Sequence, residues 1–502
     1  MGTKTVWGIA AWGMAGAVLG WLVWQRLVLG FGALWLIPLG WGATAAPLEA
    51  GALMAGYYGA TLSGSIVALT LFEGPWAGVP GWAACTALLA APWALARAGH
   101  VASWFPQAGV PLRYLTALVL VSLPPLGALG MASPWVAATA SLPGLGLWGL
   151  VLTLPVSALL AYLGARLRES VTSMRAGEHR VWRPFALSAA ALALLVSYGE
   201  TAWPVSAPPA RLITLNTHNW EPAGKPARGR VLRQNRRLIL DLAAHIARMP
   251  AHTTFVLPED AAVHWSPFTA WAWWPLALKA YRHHDTVALG VYMRPAHDTE
   301  KRDALLLMGR HAGLVTARQP MPVTEWLPFT SGGARAHWMR FGPTRAFGPP
   351  AAVLICYEQL LVWPVAEAFM GSARPQVLIG ASDHWWIEPD ALDATEARMQ
   401  ARVLRAWGRL YGVPVILADN RPHVARDLRA HWARTMVTSA LSRPIPTLYG
   451  QNTDKIRTSR QEKAIRAGGR SYGSVAGRSI NNRIMAPPYP PSPPHHPPKE
   501  PT

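Results

Sequence analysis

The sequence predicts a protein of two unlike parts, a bundle of membrane-spanning helices followed by an α/β domain. Two observations predict it. The 502-residue chain is 51% hydrophobic, and its apolar residues crowd into the first 200 positions in stretches close to the roughly 20 residues that cross a bilayer. Further along, short apolar runs alternate with amphipathic ones, as strands interleaved with helices do. We predict a membrane domain over residues 1–200, an α/β domain over 208–430 and a tail over 431–502.

The membrane domain is predicted to contain about seven helices. The first apolar stretch is too long for a cleaved signal peptide and is followed at once by more apolar sequence. No ionisable residue lies in the middle of any stretch, which argues against proton or ion transport and leaves an anchor as the simplest role. The stretches are Val6–Trp24, Leu27–Ala46, Gly51–Phe72, Gly81–Ala96, Tyr114–Met131, Gly146–Ala165 and Pro184–Tyr198.

Arginine is distributed unequally among the connecting loops, which predicts the orientation. Basic loops stay in the cytoplasm. This rule places the N-terminus in the cytoplasm and, after a seventh crossing, everything beyond Glu200 on the outer face of the membrane, in a periplasm if the cell has one. The loop arginines that carry the argument are Arg97, Arg113, Arg166, Arg168, Arg175, Arg180 and Arg183.

The α/β domain is predicted from seven strands and two helices. The helices are Arg230–Met249 and Thr395–Tyr411, and in the second, apolar residues recur at spacings of three and four to give one apolar face opposite an arginine-rich one. The predicted strands are Arg211–Leu215, Thr253–Leu257, Thr286–Tyr292, Ala304–Met308, Ala352–Ile355, Gln376–Gly380 and Val413–Ala418.

Cys356 is the candidate nucleophile. It ends the apolar run Ala352–Ile355, so its sulfur would sit on a rigid strand, and Glu358 follows closely as a possible proton acceptor. The alternative is a buried structural cysteine, because free cysteine is among the most buried residue types. Cys85 lies inside an apolar stretch, so a disulfide between the two cysteines is not expected.

Two further polar residues stand at a predicted strand end or in a loop. Glu259 follows Pro258, which cannot extend a central ladder, so the carboxylate projects beyond the strand. Arg318 stands in the segment Ala-Arg-Gln-Pro-Met-Pro-Val. Taken singly, each is typical of solvated surface.

Together these segments resemble the carbon–nitrogen hydrolase (nitrilase) superfamily over about residues 210 to 420. The resemblance rests on Val-Leu-Pro-Glu (256–259), Ile-Cys-Tyr-Glu (355–358), Ala-Ser-Asp-His-Trp-Trp (381–386) and the segment Ala397–Asn420. With membrane helices in front, the layout is similar to apolipoprotein N-acyltransferase. It is more similar still to membrane proteins of conjugal plasmid transfer, which share the Arg-Gln-Pro-Met-Pro-Val segment.

The resemblance implies an α-β-β-α sandwich and a catalytic Glu, Lys and Cys. Glu259 takes the position of the general base and Cys356 that of the nucleophile, while the lysine position falls on Arg318. Arginine is permanently charged and could hold an oxyanion, but its planar fork is longer and differently aimed. The resemblance implies no metal and no other cofactor.

Three more residues are expected near the pocket: Glu358, which is two residues from Cys356, and His384 and Trp385, which the resemblance implies line it. Glu358 faces the pocket only if the strand pattern continues past Cys356, and a hydrogen bond or ion pair elsewhere is the alternative. Core packing is the alternative for Trp385 and its neighbour Trp386.

The tail departs from the family. Asp454–Arg483 is basic and polar, and Ala486–Thr502 is rich in proline. Such sequence cannot build a core, so a disordered or polyproline-like tail is expected, and its sudden loss of pattern raises the hypothesis that it is translated out of the ancestral frame.

The leading hypothesis is an inner-membrane component of conjugal plasmid transfer whose outward-facing domain cleaves or transfers at amide or ester carbonyls through a Cys acyl-enzyme. The alternatives are an inactive scaffold of the mating apparatus and lipoprotein N-acylation. Expected partners are the lipid bilayer and other proteins of the conjugation apparatus. The net charge of +20 would suit anionic lipid or nucleic acid, but nucleic acid is not expected because no nucleic-acid motif is present.

Overall fold

A computed structural model of the protein describes residues 3–26, 28–98, 109–173, 207–217, 228–262, 265–294, 301–327, 333–384 and 394–420. Within these ranges it consists of an apolar helical bundle and an α/β sandwich. The predicted stretch Pro184–Tyr198, the residues Trp385 and Trp386, and the tail over 431–502 lie outside the described residues.

The bundle is built from helices that follow the apolar stretches of the sequence. The first helix continues into a π-helical turn at Trp21–Gln25, and a 3₁₀ turn at Phe31–Trp35 leads into the second. The α-helices are α1 (Thr3–Gly20), α2 (Leu36–Ala43), α3 (Pro47–Thr61), α4 (Ser65–Glu73), α5 (Gly78–Ala98), α6 (Val110–Ser122), α7 (Ala138–Ser141) and α8 (Leu147–Ser173).

Four helical segments of the described residues are long and apolar enough to cross a membrane: Thr5–Gln25, Pro47–Glu73, Gly78–Ala98 and Leu147–Ser170. Phe31–Ala43 and Val110–Ser122 are apolar but shorter. The stretches Leu27–Ala46 and Tyr114–Met131 therefore form shorter helices than their sequence predicted.

The ends of the two short helices explain their length. Extended backbone at Gly30 and at Thr44 limits the first. Gly109 is extended before α6, and Leu123 is extended after it. Leu123 precedes a proline, and a residue before proline is driven out of the helical region.

The α/β domain contains two sheets. Strands β1 to β5 form a five-stranded sheet in chain order, parallel from β1 to β3 and antiparallel from β3 to β5, while β6, β7 and β8 form a parallel three-stranded sheet. The strands are β1 (Leu212–Thr214), β2 (Thr254–Val256), β3 (Thr286–Met293), β4 (Arg302–Gly309), β5 (Gly313–Thr316), β6 (Ala351–Ile355), β7 (Val377–Asp383) and β8 (Val415–Asn420).

In the described part of the domain, four helices cover the sheets: α9 (Arg228–Arg248), α10 (Pro267–Arg282), α11 (Val362–Phe369) and α12 (Ala394–Tyr411). All seven predicted strands and both predicted helices are present with shifted ends, whereas β5, α10 and α11 were not predicted.

Three apolar clusters define the layers of the domain. One lies between the sheets and joins residues such as Val256 and Leu305 of the larger sheet to Val353 and Ile379 of the smaller one. A second joins the other face of the larger sheet to α9 and α10. The third joins the other face of the smaller sheet to α11, α12 and the helical bundle. The domain is an α-β-β-α sandwich, as predicted, and its α11–α12 layer rests on the bundle.

Hydrogen bonds fix the sandwich to one end of the bundle. Arg402 of α12 donates to the carbonyl oxygens of Val23 (3.0 Å) and Leu29 (2.9 Å). The Tyr357 hydroxyl donates to Ala128 O (2.8 Å), and Gly146 N donates to Leu410 O (2.7 Å). Charge-assisted bonds of the Arg402 kind are the stronger type.

The arginine-rich end of the bundle is the opposite one. Arg97 and Arg168 both donate to Thr44 O, which gathers three chain segments there. Arg168 lies on the same helix as Leu147, next to the sandwich contact at Gly146. At 1.5 Å per residue, these two ends of α8 are about 30 Å apart.

Candidate active site

Cys356 stands at a sharp turn between strand and helix. Strand β6 ends at Ile355, and a 3₁₀ turn runs over Cys356–Leu360. Cys356 has a φ of +39°, in the left-handed region that is costly for a residue with a side chain and is found often at functional sites. Cys356, Tyr357 and Leu360 of this turn line a cavity.

Glu358 stabilises this turn and does not line the cavity. Its buried carboxylate accepts hydrogen bonds from the backbone N–H groups of Ile355 (2.8 Å), Gln319 (2.9 Å) and Arg318. Of the two roles that the sequence left open for Glu358, the geometry therefore supports the hydrogen-bonding one.

Glu259 reaches the thiol from the other sheet. Strand β2 ends at Val256, and Pro258 precedes the carboxylate, which lines the same cavity as Cys356. Gly290 of β3 permits this approach, because a Cβ there would lie 1.9 Å from Pro258 O and 2.6 Å from Glu259 Cα. The predicted base and nucleophile thus share one cavity, close enough for each to shift the pKa of the other.

The cavity has a volume of about 420 Å³ and two kinds of wall. The sandwich supplies mostly polar and ionisable side chains, whereas the bundle supplies Ser65, Ala68 and Phe72 of α4 together with Met131. The cavity is therefore apolar on the side of the membrane helices.

Three carboxyl groups meet beside the thiol. One ligand oxygen each from Glu259, Asp303 and Glu325 lie within 4.8 Å of one another, close enough to share a proton or a cation. Burial raises the pKa of Glu259 and of Asp303 well above its ordinary value, and it raises the pKa of Glu325 to about 7. The group holds its protons more tightly than carboxyl groups in water do.

Among the described residues that line this cavity, Lys301 is the one lysine or arginine. Its Nζ lies 5.2 Å from the centre of the Tyr292 ring. Burial raises the pKa of Glu325, and the positive charge of Lys301 partly offsets that rise. Its backbone N–H donates to Gly333 O (3.2 Å), which fixes the start of β4. The sequence reasoning had not selected this residue.

Arg318 is absent from the cavity lining. Its buried guanidinium donates to the carbonyl oxygens of Arg340 (3.1 Å), Val353 (3.1 Å) and Gly342 (3.0 Å), and its Nε lies 3.5 Å from a Glu367 oxygen. The structure therefore does not bring Arg318 together with Cys356 and Glu259. Its fork holds loops to strand β6.

His384 does line the cavity and is buried. Its Nδ1 lies 2.7 Å from Asp419 Oδ1, and its Nε2 lies 2.6 Å from Gln400 Oε1. Gln400 in turn donates from Nε2 to the carbonyl oxygen of Cys356. Trp385, the last predicted site residue, lies outside the described residues.

Burial makes the thiol a weak acid. It raises the pKa of Cys356 to about 12, although the nearby Glu259 side chain opposes the rise. The resting thiol is therefore protonated at neutral pH, and a reaction at this sulfur needs a base beside it. Glu259 lines the same cavity and is the candidate for that base.

Lys301 could have been found from composition. Only three lysines occur between residues 208 and 430, namely Lys225, Lys279 and Lys301, against many arginines. A lysine retained in such an arginine-rich segment, just before a strand, deserves a test as a functional residue, because the two side chains are not interchangeable. Asp303, Glu325 and Gln400 gave no such signal.

Comparison with known proteins finds relatives that share most of this chain. It is 29% identical over 433 residues to a conjugal transfer protein TraB of Agrobacterium fabrum, covering 83% of this chain and 94% of the relative. It is 28% identical over 329 residues to a probable conjugal transfer protein TraB of Sinorhizobium fredii, covering 64% and 76%. No protein-family model matches the sequence.

Among solved structures, a carbon–nitrogen hydrolase from Helicobacter pylori is similar with a TM-score of 0.30 and 12% sequence identity. The similarity covers 41% of this chain and 71% of that one.

Proposed function

We propose that this protein is a multi-pass inner-membrane component of plasmid conjugal transfer whose α/β domain carries out acyl chemistry at Cys356. The names of the two curated relatives support the process. One observation supports the chemistry: a thiol and a buried carboxyl group line one cavity, which Lys301 also lines. The domain limits proposed are 1–200, 208–430 and 431–502.

In the proposed reaction, Glu259 takes the thiol proton while the sulfur attacks an amide or ester carbonyl. The S–C bond forms and the carbonyl electrons move to oxygen. Collapse of this intermediate expels the amine or alcohol, which takes the proton from Glu259 and leaves a thioester on Cys356. Water or an amine then attacks the thioester: a C–O or C–N bond forms, the C–S bond breaks to release an acid or an amide, and the proton that the nucleophile loses returns to the sulfur through Glu259.

We assign the stabilisation of the oxyanion to Lys301 and a backbone N–H beside Cys356, in place of Arg318. Lys301 lines the cavity, whereas the guanidinium of Arg318 is committed to three carbonyl oxygens and Glu367. A cation contributes most when it is already aimed at the developing charge.

The two ends of the bundle support an outward-facing α/β domain. Arg97 and Arg168 mark one end, and basic ends stay in the cytoplasm. The sandwich contacts the other end through Arg402 and Tyr357. The domain would then lie on the periplasmic side of the inner membrane.

A lipid-derived acyl donor is the second candidate, as in apolipoprotein N-acylation. The observation that favours it is the cavity wall formed by Ala68 and Phe72 of α4. That helix belongs to a segment able to cross the membrane, so an acyl chain could enter from the bilayer side.

The test is acylation by p-nitrophenyl octanoate. Purified protein in detergent should release p-nitrophenol in a burst and gain one octanoyl group on Cys356, removable by hydroxylamine and detected by mass spectrometry. Glu259→Gln should abolish the burst, and Cys356→Ser should remove the thioester. Folded wild-type protein that acquires no adduct would refute the chemistry.

A scaffold role is distinguished by conjugation itself. If the domain only binds and organises other proteins, Cys356→Ala cells should transfer the plasmid at the wild-type frequency. If the acyl chemistry is needed, transfer should fall with the burst, and the p-nitrophenyl butyrate to octanoate rate ratio should show whether long chains are preferred.

A further inference from the structure

We infer that Asp419, His384 and Gln400 form a hydrogen-bonded chain that positions the Cys356 peptide for attack. The inference rests on the proposed acyl chemistry but concerns residues that the chemistry itself does not use. It makes Gln400 the positioning residue that touches the nucleophile's backbone.

The chain joins three separate elements. Asp419 lies in β8, His384 follows the end of β7, and Gln400 lies on α12. The distances are 2.7 Å from Asp419 Oδ1 to His384 Nδ1 and 2.6 Å from His384 Nε2 to Gln400 Oε1. Gln400 Nε2 then donates to the carbonyl oxygen of Cys356.

The chemistry of the last acceptor fixes the orientation of the whole chain. The carbonyl oxygen of Cys356 can only accept, so the Gln400 atom that contacts it must be the amide nitrogen. The amide oxygen of Gln400 therefore faces His384, and His384 Nε2 must carry a hydrogen to donate to it. With Asp419 at Nδ1, both ring nitrogens are engaged.

This engagement excludes His384 as the base of the reaction, although it lines the cavity. Its two nitrogens have partners, and the residues of the chain retain only 3 to 4% of their surface exposed. Water therefore competes little for these hydrogen bonds, and such a network holds its members rigidly.

The backbone that this hydrogen-bonded chain holds in place is strained at Cys356. Cys356 has a φ of +39°, and a conformation of this kind persists only when its surroundings impose it. Glu358 holds the amide of Ile355 before the turn, and Gln400 holds the carbonyl of Cys356 after it. Loss of the second contact frees the peptide that directs the thiol and the next N–H.

The experiment measures the burst with p-nitrophenyl octanoate over a range of concentrations, which separates the maximal acylation rate from the half-saturating concentration. Gln400→Met keeps the length and removes both hydrogen bonds. Gln400→Glu keeps an acceptor for His384 but has no amide N–H to donate to the carbonyl oxygen of Cys356. Arg405→Met, exposed on the same helix, is the matched control.

Positioning predicts a maximal rate at least about 10-fold lower in both Gln400 variants, a half-saturating concentration within twofold of wild type, and no change in Arg405→Met. A folded Gln400→Glu protein with the wild-type maximal rate would overturn the inference. So would a change confined to the half-saturating concentration. Absence of any burst in wild-type protein would instead refute the proposed function.

Discussion

Glu259 and Cys356 line one cavity although they follow strands of different sheets of the sandwich. The carboxyl group follows β2 of the five-stranded sheet, and the thiol follows β6 of the three-stranded sheet. The two groups therefore come together only when the two sheets face each other in the observed register. Packing between the sheets and reactivity of the thiol should rise and fall together.

Replacing Lys301 and Arg318 one at a time with Met should separate an effect on catalysis from an effect on stability. Lys301→Met should lower the acylation rate by about 100-fold or more, because it removes a charge aimed into the cavity. Arg318→Met should leave the rate of folded protein within a few-fold but lower the free energy of unfolding by about 3–5 kcal/mol, because it leaves the buried Glu367 without its partner. Burst kinetics and thermal unfolding in detergent measure the two effects.

The opposite pattern, with normal acylation in Lys301→Met and a folded but inactive Arg318→Met, would restore Arg318 to the role that the sequence predicted.

Gly290→Ala should displace the base. The new Cβ would lie 1.9 Å from Pro258 O, so the segment that carries Glu259 must move. We expect the acylation rate to fall at least about 10-fold and stability to fall by about 1–3 kcal/mol. Gly313→Ala is the control, because its nearest neighbour, Leu307 Cδ1, would lie 3.8 Å away. Equal effects of the two substitutions would contradict this account.

Arg402→Met should loosen the sandwich from the bundle. The guanidinium donates to two carbonyl oxygens, of Val23 and Leu29, that the apolar thioether cannot satisfy. We expect a loss of about 2 kcal/mol and faster proteolysis of the intact protein in detergent. Arg405→Met should behave as wild type, and protection equal to wild type in Arg402→Met would show that the interface holds without the Arg402 hydrogen bonds.

Stability should depend on pH through Glu325. Burial raises its pKa to about 7, so between its ordinary pKa and pH 7 the folded protein binds more protons than the unfolded chain. Stability due to this group is therefore complete at acidic pH and falls by at most about 3 kcal/mol as pH rises to 7. Glu325→Gln should show a smaller drop in thermal midpoint between pH 5 and pH 8. A larger drop would reverse the assigned direction.

The sandwich was predictable because its strands are continuous apolar runs. The three elements that were not predicted, β5, α10 and α11, lack such runs. Strand β5 has four residues and α11 has eight, six of them buried, so each is too short to show a clear periodic pattern. In α10 the exposed Trp271 and Trp274 flank the buried Trp273, which hides the amphipathic face.

The site was harder to predict. A position at the end of a strand marks a residue as a candidate, but it does not show which other side chains lie next to it in the folded protein. Glu259 and Cys356 each follow a strand, and their sequence positions suggested a shared cavity. Whether Arg318 or Lys301 joins them depends on how the chain after β3 folds back, which composition and periodicity do not report. That residues of the bundle form one wall of the cavity could likewise be seen only in the three-dimensional structure.

Helix α12 presents Gln400 to the nucleophile and Arg402, two positions on, to the end of the first membrane helix. A truncated protein that contains only the α/β domain would therefore lose the contacts that hold this helix against the bundle. It would also expose to water the apolar surface that the bundle covers. Assays are best performed on full-length material reconstituted in nanodiscs, where both neighbours of that helix are in place.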